Sequence, residues 1–120
     1  MLGHKLFGSG LTDLAVSAIC NDVGAAISAA GTTQGTATEL TNTLNGLTTV
    51  AASSGVRLWA GSSGDCQIVY NGGANAVRVY PPTSARINGL AVNTPHVLAT
   101  GTACQYWFIS AAQVVGVLSA

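Results

Sequence analysis

The second half of the chain consists of short runs of β-branched and aromatic residues that are separated by turn residues. Glycine, asparagine and proline stand between the runs, and Pro81-Pro82 ends one of them because proline donates no ladder hydrogen bond. Short strands with such punctuation are typical of an antiparallel sandwich, a jelly roll or a barrel. The predicted strands cover residues 56–59, 66–70, 76–80, 86–90, 96–99, 106–110 and 113–118.

The segment Asn71-Gly72-Gly73-Ala74-Asn75 is the clearest local signal in the sequence. Asparagine and glycine tolerate the positive φ angles of tight turns, and a strand-like run lies on each side of the segment. The pattern predicts that the runs 66–70 and 76–80 pair as a β-hairpin.

The first half is less regular. Residues 1–10 contain three glycines and a serine with little periodicity, so they predict a flexible arm. Within 11–30 the apolar residues follow helical spacing, although Gly24 limits the length of any helix. The threonine-rich stretch 31–52 fits a helical face through its leucines but favours extended chain through its threonines. We expect strands at both of its ends and a helical turn between them.

These patterns together predict a mainly β protein with at most one or two short helices. The N-terminal arm, with its possible short helix, is placed at 1–26 and the β-rich domain at 27–120, with an antiparallel sandwich or jelly-roll-like body.

Charged residues are scarce. They make up 7% of the 120 residues, with four Lys plus Arg and four Asp plus Glu, whereas an ordinary soluble domain has about 25%. Low net charge favours association, so we expect a homo-oligomer, or else a monomer with a hydroxylated surface.

The sequence predicts neither a nucleic-acid site nor a membrane span. Its four cations are scattered, whereas phosphate binding needs a cluster. Asp13, Asn21 and Asp22 interrupt the longest weakly polar stretch, so no membrane span is expected.

Few residues are suited to catalysis. The four acids are dispersed, and the three cysteines form no C-x-x-C pair and fit free thiols in a reducing compartment. His4, His96, Cys66 and Cys104 match a zinc site in residue type but not in spacing. We therefore expect no enzyme, no catalytic residues and no metal or other cofactor. The alternating aromatic residues around 106–108 indicate core or subunit interface, with a carbohydrate platform as the alternative.

The stretch 77–90 is interpreted as a structural corner that carries contact residues. Its two arginines are placed to point outward to a neighbouring carboxylate or carbonyl. The predicted interaction residues in the arm and in this corner are Met1, Leu2, Leu6, Phe7, Arg78, Tyr80, Pro81, Pro82 and Arg86.

Four pieces of the sequence, together with a hydrophobic C-terminal strand pair, resemble small virion proteins of tailed bacteriophages and prophages that are associated with the head genes. The pieces are AISAAGTTQGTATELTN, GVRL, IVYNGGANAVRVYPP and INGL. The resemblance covers roughly residues 26–118, and it departs from the expected pattern at Trp59, where a proline is expected.

The resemblance implies a capsid decoration or cement protein with a β-rich body on the outer surface of the head and an arm that reaches across coat subunits. It implies the major capsid protein as partner, self-association as a trimer in preference to a dimer, and synthesis in the host cytoplasm before assembly into the virion. The alternative is a tail, fibre or adsorption module that contacts host glycans.

Overall fold

The computed structural model describes residues 22–119, which form ten strands and no helix. The predicted arm at 1–10 and the helical spacing at 11–20 lie outside the described residues. The strands are β1 (Val23–Ala29), β2 (Thr38–Glu39), β3 (Leu44–Val50), β4 (Gly55–Arg57), β5 (Cys66–Asn71), β6 (Val77–Tyr80), β7 (Arg86–Ile87), β8 (His96–Leu98), β9 (Ala103–Ser110) and β10 (Gln113–Leu118).

The strands form two sheets. One has six strands in the order β1-β3-β5-β9-β10-β7, and the other has four in the order β2-β4-β6-β8. From β1 to β8 the chain changes sheet after every strand, and equivalent strands of successive coils pair in parallel, as β1 with β3 and β4 with β6. This arrangement is solenoid-like. The pairs β5 with β9, β9 with β10 and β6 with β8 are antiparallel and end the parallel stack.

The prediction of a mainly β protein is confirmed, but the antiparallel sandwich is wrong, because both sheets are mixed. Within the described residues no helix forms between 22 and 52, where β1, β2 and β3 lie. β1 also begins at Val23, inside the segment 1–26 that was assigned to the arm. The β-branched threonines, which favour strands, prevail here over the helical spacing of the leucines.

The predicted hairpin of 66–70 with 76–80 is also wrong. β5 lies in the six-stranded sheet and β6 in the four-stranded one, so the two strands do not pair. The side chain of Asn71 holds the corner between them: its Nδ2 donates to the carbonyls of Asn75 (2.9 Å) and Leu98 (3.0 Å), and its Oδ1 accepts from the amide of Gly73 (3.0 Å). A Cβ on Gly73 would lie 2.5 Å from a methyl carbon of Val50, so only glycine fits where the corner crosses β3.

The core lies between the two sheets. Its side chains come from alternate positions of the strands, and each buried Val, Leu or Ile contributes about 1.5–3 kcal/mol. The buried apolar cluster consists of Ala29, Leu40, Leu47, Val50, Val56, Leu58, Val69, Val77, Val79, Ile87, Leu98, Cys104, Tyr106, Phe108 and Val114.

A carboxylate fixes the start of the first strand. Asp22 accepts from Asn42 Nδ2 (2.7 Å) and from the amide and hydroxyl of Thr43 (both 3.0 Å). The hydrogen bond from Asn42 is the main cause that lowers the pKa of Asp22 below its usual value. The hydrogen bonds from Thr43 lower this pKa further, and together they outweigh the desolvation that raises it. The entry of the chain is therefore tied to the segment that precedes β3.

In the described part of the chain no helix is long and apolar enough to cross a membrane.

We predict that Asn71→Ala destabilises the protein by more than about 2 kcal/mol, because it leaves several buried backbone groups unpaired and each costs about 1–3 kcal/mol. Urea unfolding of the variant measures the loss. Gln105→Ala is the matched control, since this amide is exposed on β9 and surface substitutions change stability by about 0.5 kcal/mol or less. Equal effects of the two substitutions would contradict the role of Asn71 in the corner.

Candidate interaction surface

The outward side of the six-stranded sheet is apolar. Residues that pair across strands share a face, and the register joins Leu44 to Ile68, Ile68 to Gln105 and Gln105 to Val117 in one row. A second row joins Cys66, Trp107 and Val115. We call the apolar residues on this side the outer face: Val23, Leu44, Ile68, Tyr70, Trp107, Ile109, Val115 and Val117.

Most of the exposed large apolar side chains of the described residues belong to this sheet. Trp107 is 44% exposed, Tyr70 47%, Val117 52% and Ile109 62%. In the strands of the four-stranded sheet, the exposed large apolar side chain is Val97, which is 60% exposed. A concentration of exposed apolar groups on one face is typical of an interaction site.

The outer face ends before the edge strand β7, where the exposed Arg86 is a charged residue of the same sheet. The strands β1, β3, β5, β9 and β10 contain no Asp, Glu, Lys or Arg. The indole Nε1 of Trp107 donates to Gln105 Oε1 at 3.1 Å, so this polar group is satisfied within the face. A partner that covers the face therefore pays no desolvation cost for ionised groups.

The predicted contact residues of the corner differ in how far their side chains are exposed. Tyr80 is 6% exposed and donates its hydroxyl to the carbonyl of Thr32 (3.2 Å), and Pro81 and Pro82 are buried. These three side chains belong to the body and do not form a contact surface, which corrects their assignment. Arg78 is half-buried in β6 and Arg86 is exposed in the edge strand β7. Met1, Leu2, Leu6 and Phe7 lie outside the described residues.

A shallow depression on the four-stranded side is polar and already paired. Arg57 Nη2 lies 2.9 Å from Glu39 Oε2, and Arg57 Nη1 donates to the carbonyl of Gln34 at 3.3 Å. The ion pair neutralises both charges, so the depression presents neither an anion nor a cation site. Its lining residues are Glu39, Arg57, Leu58, Ala60, Pro82 and Thr83.

His96, Tyr106 and Cys104 form a polar cluster that reaches into the core. His96 Nδ1 lies 2.9 Å from the hydroxyl of Tyr106, which is fully buried. Burial raises the pKa of Tyr106 and of Cys104 and lowers the pKa of His96, so all three groups are held neutral. In the tautomer of His96 that carries its proton on Nε2, Tyr106 donates and Nδ1 accepts.

The zinc constellation drawn from residue types is not assembled by the fold. Within residues 22–119, no three His, Cys, Asp or Glu side chains lie together as metal ligands would. Cys66 lies on the outward side of β5, paired with Trp107, whereas Cys104 is buried on the inward side of β9. His4 is outside the described residues.

The sequence indicated core or subunit interface for the aromatic residues around 106–108, but it did not identify the outer face as a whole. The signal was present in β9, where Gln105, Trp107 and Ile109 alternate with the buried Cys104, Tyr106 and Phe108. Both alternate sets are largely apolar, which is typical of a strand that is covered on both sides.

The comparisons with known proteins identify no family: no family model matches the chain, and no curated protein or solved structure is significantly similar to it. The fold and the surface define a solenoid-like β protein with an uncharged apolar outer face.

We predict that His96 makes stability pH-dependent. Its pKa is lowered in the folded protein from the ordinary 6.5, so the unfolded chain takes up the proton more readily. The stabilisation is complete above pH 6.5 and is lost as the pH falls through the lowered pKa. Urea unfolding between pH 5 and pH 8 measures this (about the range in which histidine titrates), with His96→Gln as control. A variant that keeps the full decline between these pH values would contradict the assignment.

Proposed function

We propose that the chain is a structural protein of a tailed-phage virion, of the capsid decoration or cement type. In this proposal it is not an enzyme and needs no cofactor. It assembles as a homo-oligomer, a trimer in preference to a dimer, and binds the major capsid protein on the outer surface of the head after synthesis in the host cytoplasm. The resemblance of residues 26–118 to small head-associated virion proteins supports the assignment.

The observation that carries the proposal is the uncharged outer face. A freely soluble protein is normally kept dispersed by surface charge, yet five strands of this sheet have none and expose Tyr70, Trp107, Ile109 and Val117. Such a face is stable in water when another protein covers it. A viral shell offers coat subunits and further copies of the chain at fixed, repeated positions.

The mechanism is mechanical. A protein that binds the assembled shell and not its separated subunits stabilises the shell by mass action. Each added interface of standard size buries about 800 Å² per partner, and the repetition of the site around the shell multiplies the gain. In this role the outer face supplies apolar contact area, and the arm supplies further contact with the coat subunits.

We predict that Ile109→Asp abolishes binding to expanded, undecorated phage heads, because it places a charge in the uncharged face. Co-sedimentation of the purified protein with the heads measures binding, and the copy number at saturation gives the oligomer at each site. Val97→Asp is the matched control, since Val97 has nearly the same exposure (60% against 62%) but lies on the other sheet. Binding by Ile109→Asp equal to that of Val97→Asp would contradict the use of the outer face.

We also predict that deletion of Met1–Gly10 leaves a folded oligomer that no longer stays on the shell. The buried apolar cluster is formed by residues from Ala29 onward, so the truncated body keeps these core side chains. Circular dichroism and sedimentation velocity check the fold and the oligomer, and co-sedimentation with heads checks retention. Undiminished binding by the truncated protein would contradict the role of the arm.

The second candidate is a tail, fibre or adsorption module that binds host glycans. The observation in its favour is that Tyr70 and Trp107, both aromatic and nearly half exposed, stand on the neighbouring strands β5 and β9. Sugars stack on aromatic faces, so Trp107→Ala would abolish glycan-array binding in this case. A protein that ignores heads and binds glycans through Trp107 would favour this candidate over the decoration protein.

A further inference from the structure

The chain contains three Asn-Gly pairs, and the fold places them in different settings. Asn45-Gly46 lies inside β3, Asn71-Gly72 begins with the last residue of β5, and Asn88-Gly89 lies in a turn directly after β7. Glycine has no Cβ, so its backbone nitrogen can approach the side-chain amide of a preceding asparagine without obstruction. The local backbone conformation then decides whether the two groups meet.

The turn at Asn88 has the pattern of type II′. Leu90 donates its amide to the carbonyl of Ile87 (3.1 Å), which closes a turn with Asn88 and Gly89 at its centre. The φ of Asn88 is 53°, whereas the φ of Gly89 is not positive. A positive φ at the first central residue alone defines type II′, the mirror image of type II, and gives that residue a ψ of about −120°.

This ψ favours the closure of a ring between the side chain and the main chain of Asn88. Around the Cα–C bond, the Cβ of an L-residue is offset from the residue's own nitrogen by about 120°. At a ψ of about −120° the nitrogen of Gly89 therefore lies on the same side as Cβ of Asn88, within reach of Cγ. Extended chain has a ψ of about +115° to +135°, which turns the next nitrogen away from Cβ.

The other two pairs are held in the unreactive arrangement. Nδ2 of Asn45 donates to the carbonyls of Asn42 (2.8 Å) and Ile68 (3.2 Å), and its backbone is paired within β3. In the second pair the amide of Gly72 donates to the carbonyl of Leu47 at 2.9 Å. Ring closure at either pair requires these hydrogen bonds to break.

We infer that Asn88 is a site of spontaneous modification, at which asparagine is converted to aspartate and isoaspartate through a succinimide ring. The nitrogen of Gly89 attacks Cγ of Asn88: the N–Cγ bond forms, the Cγ–Nδ2 bond breaks, and ammonia leaves with the proton of the Gly89 amide. Water then opens the ring at either of its two carbonyls. The amide of Gly116 donates to Oδ1 of Asn88 at 2.9 Å, and a donor there stabilises the negative charge that develops on this oxygen during the attack.

The modification changes how the edge strand β7 is held. The amide of Asn88 donates to the carbonyl of Val114 (2.8 Å), and its own carbonyl accepts from Gln113 Nε2 (3.0 Å). In isoaspartate the main chain runs through Cβ and Cγ, so this carbonyl becomes part of a free carboxylate and the link to Gly89 lengthens by one methylene group. Either product lowers by one the formal net charge, which is 0 in the unmodified chain. The inference does not depend on the proposed function.

Incubation of the purified full-length protein in mildly alkaline buffer tests the inference. Peptide mass spectrometry measures the three pairs side by side, and a protein isoaspartyl methyltransferase detects isoaspartate. Asn45-Gly46 and Asn71-Gly72 are matched internal controls, since they consist of the same two residues. In the folded protein we expect Asn88 to react at least about tenfold faster than either control, which corresponds to about 1.4 kcal/mol of activation free energy. In guanidinium chloride, which removes the turn, we expect three similar rates and a slower reaction at Asn88 than in the folded protein.

Each outcome decides the inference. It is overturned if Asn88 reacts no faster than the controls in the folded protein, or if folding slows its reaction. Gly89→Ala provides a second test, because the added Cβ meets no heavy atom of the described chain within 4 Å apart from its neighbours but obstructs the attacking nitrogen. We expect this variant to react about tenfold more slowly at Asn88. An unchanged rate, or aspartate without isoaspartate, would mean direct hydrolysis by water and would also overturn the inference. No phage heads are used, so a failure here is distinct from a failure of head binding.

Discussion

The structure depends on the satisfaction of backbone groups at the corners where the chain leaves one sheet for the other. A corner in the core has neither a ladder partner nor water, and each unpaired group there costs about 1–3 kcal/mol. Buried amide side chains provide the partners. Gln67 accepts from the amide of Trp59 (3.0 Å) and donates to its carbonyl (2.8 Å), and Asn71 binds Asn75, Leu98 and Gly73. Both are fully buried, so they take the place of a neighbouring strand where the backbone turns.

The individual strands were largely predictable, but their pairing was not. Alternation is a local property, and the predicted strand 113–118 has the bounds of β10, while 66–70 differs from β5 by one residue. Leu44 pairs with Val23 on one side and with Ile68 on the other. The number of residues between such partners differs from one coil to the next, so the sequence shows no repeat of fixed length. Asn71-Gly72-Gly73 has the composition of a hairpin turn; only the distant carbonyl of Leu98 shows that the same residues form a corner.

The sequence predicted the character of the candidate surface but not the residues that form it. Scarce charge predicts a surface that other subunits cover, and the structure shows that the strands without charged residues belong to one sheet. Tyr80, Pro81 and Pro82 were predicted as contact residues because the stretch 77–90 was interpreted as an outward corner. In the fold Tyr80 reaches the carbonyl of Thr32 and is enclosed by the body, which depends on contacts between segments far apart in sequence.

The two halves of the outer face differ in how far their side chains project from the sheet. Over β1 and β3 the outward side chains are mostly small, with Gly46 between Leu44 and Thr48. Over β9 and β10 the side chains of Trp107, Ile109 and Val117 project from the sheet. Projecting aromatic and branched groups anchor contacts between separate proteins because they fill pockets in the partner. The half of the outer face on β9 and β10 therefore offers the stronger anchors for a partner protein.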